Sequence, residues 1–440
     1  MLKQNPRVSL AYIVLAVLTI VMGYYVERTQ TWLLLGGFSA MFFASLVVMR
    51  DTAEGEEDLP YYWGMLMRLM LLFSIPTLSD DIYRFIWDGR LLFNLADPYK
   101  QLPSEYVNQG MEGVNQALYL KLNSKEYFSV YPPFNQVFFF LSVLFSPNSE
   151  FWSAVILRVV ILVFELGNIR LIKKLLRHYQ LPQKYGLLYA LNPMVILELT
   201  GNLHFEAIMV FFLLLALWYY EQNKLHWSAI FFGLSVATKF LPLIFLPLLF
   251  RKIGFKKTAV YSTIVLVILV VSFLPLINTA HIWAIRDSME LYFQKFEFNA
   301  SFYYVTRWYG FKLAGHNIIA ESGKWMMLAT FVSILLYSFL GKKRRLPEQM
   351  MWVWALYVLF ATTVHPWYTI PLLVMSIFSM KQFPYIWTIL VFFTYANYQL
   401  EGYFEWLEIV AVEYTIVILV ALYETSGRSF RESFFKPQDS

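Results

Sequence analysis

The sequence predicts an all-α integral membrane protein, a polytopic helical bundle of about 12–14 spans with two long outer loops. Three observations carry that expectation. Hydrophobic residues make up 58% of the chain, aromatics 19% and charged residues only 15%, with a mean hydropathy of +0.52, which lies outside the range of water-soluble domains. The apolar residues come in runs close to the roughly 20 residues that cross a hydrocarbon core. The basic residues fall in short blocks between those runs, where the charge asymmetry that orients membrane proteins resides. The net charge of +5 is thereby assigned to topology and not to a nucleic-acid surface. Cysteine is absent, which excludes disulfides and thiolate metal sites. The whole chain, 1–440, reads as one polytopic domain.

Runs at 8–26, 31–49 and 61–79 supply the first three spans. Lys3 and Arg7 precede the first run, which has no small-residue cleavage site and reads as a retained span rather than a signal peptide. Arg50 and the acidic stretch Asp51 to Asp58 separate the second from the third. With a cytoplasmic N-terminus, Asp80 emerges on the outer face. The run 134–146, after Tyr131-Pro132-Pro133, is short for a crossing and reads as an interfacial or re-entrant helix whose prolines suit a helix N-terminus. Further runs follow at 151–171, 184–199, 203–220, 226–238, 240–250, 257–276, 324–340, 349–364, 366–380, 384–399 and 408–424. Several are too short for a full crossing, which implies broken or cavity-lining helices. Alternation places Lys173, Lys174 and Arg177, then Arg251, Lys252, Lys256 and Lys257, then Lys342 to Arg345, then Arg428 and Arg431 on the cytoplasmic side. The loops 80–130 and 277–323 fall outside. No repeat of fixed period is visible, which argues against a symmetric transporter.

The stretch Ser79 to Arg90 sets Asp80, Asp81, Arg84, Asp88 and Arg90 among Tyr83, Phe85 and Trp87. Charge inside a bilayer is costly, about 2.5–3.5 kcal/mol per group on insertion scales, so this cluster belongs just outside the lipid or in a wet cavity. Helix capping explains one of the two adjacent aspartates but not the whole set. The same topology gathers Asn202, His204, Glu206, Lys239 and His365 at the outer face. Singly, each is an ordinary interfacial or snorkelling side chain; together they form a candidate site. Transfer of a sugar from a lipid phosphate needs cations for the leaving group, for which Lys239, Arg84, Arg90 and His365 are candidates. It also needs a carboxylate base for the acceptor hydroxyl, on the face opposite the leaving group. Trp87 and Trp367 are candidates for stacking on sugar rings.

Asp80-Asp-Ile-Tyr-Arg-Phe-Ile-Trp-Asp-Gly-Arg90, Asp97-Pro-Tyr99, Tyr131-Pro-Pro133, Asn192-Pro193, Asn202 to Glu206, Thr238 to Pro242 and His365-Pro-Trp-Tyr368 together resemble the polyprenyl-phosphate-mannose-dependent mannosyltransferases of the GT-C fold. Within that group the sequence resembles the bacterial alpha-1,6-mannosyltransferases and, more distantly, the phosphatidylinositol-glycan mannosyltransferases. The likeness spans about residues 60–370. It implies an inverting hexosyltransferase, in the first instance a mannosyltransferase, with a polyprenyl-phosphate sugar donor and a glycan or glycolipid acceptor. It implies an aspartate base that maps onto Asp80 or Asp81, with Asp80 favoured as the residue nearest the membrane exit. Around the base, Arg84, Asp88, Arg90, Tyr131, His204, Glu206, Lys239, His365, Trp367 and Tyr368 are the expected substrate contacts. No cofactor is expected; Asp80, Asp81 and Glu206 could hold a divalent ion only through oxygen ligands. The expected location is a bacterial inner membrane with the site facing the periplasm. Two other classes share these features: a lipid-linked saccharide flippase, whose charges belong near the bilayer midplane, and a surface-glycan polymerase or ligase, which takes a preassembled chain.

Overall fold

The computed structural model describes residues 5–274, 296–399 and 402–426. Part of the expected second outer loop, 277–295, lies outside the described residues, as do Lys3, Arg428 and Arg431. The fold is all-α apart from one two-stranded pairing of Tyr398–Gln399 with Gly402–Tyr403 and a short bridge between Phe298 and Thr363. Four described helices are long and apolar enough to cross a membrane: Pro6–Tyr24, Thr31–Asp51, Phe255–Phe273 and Ile319–Leu340. The protein is a polytopic membrane protein. A fifth crossing is added if Val195–Gly201 and Glu206–Glu221, bent by 109°, count as one span. The helix Pro6–Tyr24 starts where Pro6 needs no amide partner and the Asn5 carboxamide accepts from the Arg7 amide at 3.1 Å.

Several of the remaining apolar runs are divided or shortened. The run 61–79 is helical only over Asp58–Met70, because the chain then turns through Pro76 and the carbonyls of Leu72 and Ser74 accept from Arg158 instead of continuing a helix. The run 184–199 breaks at Asn192-Pro193 into Leu187–Ala190 and a π-helical turn, Val195–Gly201. The run 384–399 passes from the helix Phe383–Leu390 into a tighter turn, Val391–Asn397. The run 134–146 forms a helix, Pro133–Leu144, of 12 residues opened by two prolines. It crosses the helix Asp81–Phe93 so closely that a Cβ on Gly89 would lie 2.4 Å from the Phe139 carbonyl oxygen, which makes glycine the side chain that fits there.

Buried charges pin these broken pieces together. Arg68 and Glu165 meet at 2.8 Å with both side chains fully buried. The remaining guanidinium donors of Arg68 reach the Gly64 and Ala190 carbonyls at 2.9 and 2.7 Å, and Glu165 also accepts from the Tyr189 hydroxyl at 2.5 Å and Asn168 at 2.9 Å. Arg158 has no acidic partner among the described residues. It donates to the carbonyls of Thr200, Gly201, Ser74 and Leu72 at 2.5–3.1 Å and so ties the turn before Asp80 to the turn before His204. Both clusters meet the rule that a buried charge keeps its donors and acceptors occupied.

The bundle has two chemically distinct ends. At one, Lys173 meets Asp58 at 2.6 Å, Lys184 donates to the Arg50 carbonyl at 3.1 Å and Arg251 donates to the Gly341 carbonyl at 2.7 Å. Lys252 donates to the Arg344 carbonyl, so basic blocks far apart in the chain share one surface. Asp80, His204, Lys239 and His365 gather at another.

Candidate functional site

The site is assembled from chain breaks. Asp80 precedes the helix Asp81–Phe93, whose first turn carries Asp81, where a carboxylate interacts well with the helix dipole. Glu206 opens the helix Glu206–Glu221 immediately after the sharp bend that carries His204. Lys239 ends the helix Leu225–Thr238 in an extended conformation. His365, Trp367 and Tyr368 occupy the turn between Leu346–Phe360 and Ile370–Ser379.

A column of rings runs through the site. The imidazole of His204 stacks on the Trp367 indole at 3.6 Å between centroids, Trp367 stacks on His365 at 4.5 Å, and His365 stacks on Phe298 at 4.9 Å. The Tyr368 ring stands edge-on to His365 at 5.5 Å. His365 is held neutral. Burial lowers its pKa to about 3, opposed by the negative charge of Asp81 and reinforced by the neighbouring His204 and Lys239, which also places those three groups within electrostatic reach of the ring.

Four carboxylates surround this column, and three carry a basic partner. Asp80 pairs with Arg28 at 2.6 Å, both side chains about one-third exposed, and the same guanidinium lies 5.1 Å from the Tyr398 ring centroid. Glu206 pairs with Lys239, whose ammonium also sits 5.7 Å from the Tyr368 ring. Glu198, fully buried, faces His204 at 3.2 Å and accepts from the Tyr395 hydroxyl at 2.7 Å. Asp81 differs: it accepts a hydrogen bond from the neutral carboxamide of Asn123 at 2.8 Å. The second oxygen of Glu206 is buried and has no hydrogen-bond partner among the described residues. Among the described residues no group of three or more acidic, histidine or cysteine side chains could hold a metal ion, and Asp80 and Glu206 are each turned to a cation of the chain.

Eight of the expected residues therefore come together: Asp80, Asp81, His204, Glu206, Lys239, His365, Trp367 and Tyr368. The other four brace the first outer loop. Arg84 pairs with Asp88 at 2.8 Å and donates to the Ser124 and Tyr127 carbonyls at 3.1 and 2.8 Å. Asp88 also accepts from Ser129 at 2.5 Å and Gln136 at 2.9 Å. Arg90 donates to the Gly113 carbonyl at 2.6 Å. The Tyr131 carbonyl accepts from Tyr99, while its ring packs edge-on against Phe85 at 4.9 Å. Trp87, expected as a sugar platform, is fully buried and so unavailable for stacking. Arg28 and Glu198 went unread in the sequence. Arg28 stands outside every motif, in the turn between the first two spans, and Glu198 lies inside an apolar run where a single acidic residue carries no pattern.

No curated protein matches the chain. Residues 6–253, more than half of its length, match a family described as alpha-(1->6)-mannopyranosyltransferase, N-terminal domain. The match begins earlier than the expected likeness and stops before His365, Trp367 and Tyr368. It covers Arg28, Asp80, Asp81, Glu198, His204, Glu206 and Lys239, which supply all four carboxylates of the site and their basic partners. The chain thus belongs to the alpha-(1->6)-mannopyranosyltransferase family and is a membrane-embedded glycosyltransferase that transfers mannose.

Proposed function

We propose that this GT-C type protein moves mannose from a polyprenyl-phosphate donor to a hydroxyl of a glycan or glycolipid acceptor, with Asp81 as the base. The observation that carries this reading is that Asp81, alone among the four carboxylates around the ring column, has no basic partner among the described residues. A carboxylate already engaged by a guanidinium is less available to an acceptor hydroxyl, so Asp80, favoured on position alone, gives way to its neighbour. Asp81 takes the proton of the acceptor hydroxyl as that oxygen bonds to the anomeric carbon. The bond from that carbon to the phosphate oxygen breaks on the opposite face, and its electron pair leaves with the lipid phosphate. In-line displacement inverts the anomeric centre, so an alpha product requires a beta-linked donor. The departing phosphate needs cations rather than a proton. Lys239 and Arg28 supply them, since each spends one donor on a carboxylate and keeps partial exposure; His365 and Trp367, each stacked on both faces, hold the wall of the site in place.

A bilayer supplies the donor lipid, and a bacterial inner membrane with the site on the periplasmic side fits the charge distribution. A flippase reading is weaker because the charges sit at one end of the bundle and not at its middle. The test uses purified protein in lipid with polyprenyl-phosphate mannose, polyprenyl-phosphate glucose and a glycolipid acceptor pool. Mannosylated acceptor and free polyprenyl phosphate are the expected products. Sugar nucleotide consumption in place of the lipid donor would overturn the proposal.

A further inference from the structure

At the end of the bundle that carries the basic blocks, a cavity of about 250 Å³ is lined by Tyr337, Lys342, Arg344, Trp352 and Thr425. Its lining is rich in donors. Lys342, Arg344 and the indole of Trp352 can only donate, and no carboxylate contributes. The Tyr337 hydroxyl and the Trp352 indole nitrogen are both buried and, among the described residues, without a hydrogen-bond partner, a costly condition that an incoming acceptor relieves. Of the nearby acids, Glu348 pairs with the lining residue Arg344 and leaves Lys342 as the cation without an acidic partner among the described residues, while Glu424 accepts from the Gln382 and Phe383 amides at 2.8 and 3.2 Å. The turn 341–345 is itself fixed, since Arg251 donates to Gly341 and Lys252 to Arg344.

We propose that this cavity binds the phosphate headgroup of an anionic membrane phospholipid, independently of the transfer site. The apolar surroundings select a lipid over a free anion. Leu336, Phe339 and Leu340, exposed on the helix Ile319–Leu340 beside Tyr337, offer a surface for acyl chains leading away from the cavity. Donors plus adjacent apolar surface match an amphiphile with a negative head. The cavity lies beyond residues 6–253, and nothing in the transfer chemistry uses it.

The test is binding to the full chain in zwitterionic nanodiscs, read by native mass spectrometry and by thermal unfolding, with three probes. These are phosphatidylglycerol, phosphatidylcholine of the same chains, and inorganic phosphate. Phosphatidylglycerol should bind and raise the unfolding midpoint, while the other two should not. Trp352→Phe keeps the ring and removes one donor; together with Lys342→Gln it should weaken phosphatidylglycerol binding roughly tenfold or more. Equal binding of phosphatidylcholine, equal stabilisation by phosphate alone, or an unchanged affinity in the folded double variant would each overturn the proposal. Trp352→Phe by itself checks that the loss follows the donor and not a failure to fold.

Discussion

Asp80 and Asp81 are neighbours in sequence with different partners: the Arg28 guanidinium lies 2.6 Å from Asp80, while the Asp81 carboxylate accepts from the Asn123 carboxamide at 2.8 Å. Adjacent residues at a helix start point about 100° apart, so one faces the first inter-helix turn and the other the loop that follows.

This difference separates two otherwise equivalent mutants. Removal of a general base costs about a hundredfold to ten-thousandfold in rate, and that loss is expected for Asp81→Asn with donor binding nearly unchanged. Asp80→Asn should lose less in turnover and more in donor affinity, because it releases Arg28. Steady-state kinetics on equal amounts of folded protein decide the matter. A larger rate loss in Asp80→Asn would return the base to Asp80.

On the proposed mechanism one substitution of Lys239 confounds two effects, since Lys239→Met would remove the proposed phosphate contact and would strand the buried Glu206 carboxylate. Donor binding should weaken roughly tenfold or more and stability should also fall. In the double variant Lys239→Met with Glu206→Gln the stranded charge is gone, so stability should recover while donor affinity stays low. Recovery of both would reduce Lys239 to a structural partner.

Burial holds the His365 pKa at about 3, against about 6.5 in the unfolded chain. Below pH 6.5 the unfolded state takes up a proton that the folded state does not. Stability contributed by this group is therefore present above pH 6.5 and lost as pH falls towards 3, by at most about 1.4 kcal/mol per pH unit. Unfolding midpoints of wild type and His365→Gln should converge as the pH is lowered through this window. Parallel curves would show that His365 is protonated in the native state.

Arg68→Met leaves Glu165 charged and fully buried, which costs about 3–5 kcal/mol for a pair of this kind. The variant should unfold at markedly lower temperature, and Arg68→Met combined with Glu165→Gln should recover part of the loss. Neither residue touches the ring column, so per-molecule turnover of the surviving folded protein should be unchanged.

Sidedness is open to cysteine labelling in the naturally cysteine-free chain. Gly113 is a poor position, because its φ is +73° and a Cβ would lie 2.8 Å from Arg90. Asn108→Cys and Lys312→Cys, both at exposed positions, should label from outside intact spheroplasts; Glu54→Cys and Lys343→Cys, also exposed, should not. Labelling of Asn108→Cys only from within would reverse the orientation.

Composition and run length alone determined that the chain is helical and membrane-embedded, because the hydrocarbon core imposes both apolar surface and internal backbone pairing on any sequence that crosses it. The motif around Asp80 and the turns carrying His204, Lys239 and His365 were legible too, since polar residues interrupting apolar runs stand out at short range. Tertiary structure alone decided how those charges are shared. Arg28 reaches Asp80 across 52 residues and Tyr395 reaches Glu198 across 197, separations over which no local pattern survives. It also divided the twelve expected site residues, sending Arg84, Asp88, Arg90 and Tyr131 into the loop's own hydrogen bonds. The physical reason is the same in each case: which partner satisfies a buried charge depends on which helix ends the packing brings together, and a linear sequence does not contain that proximity.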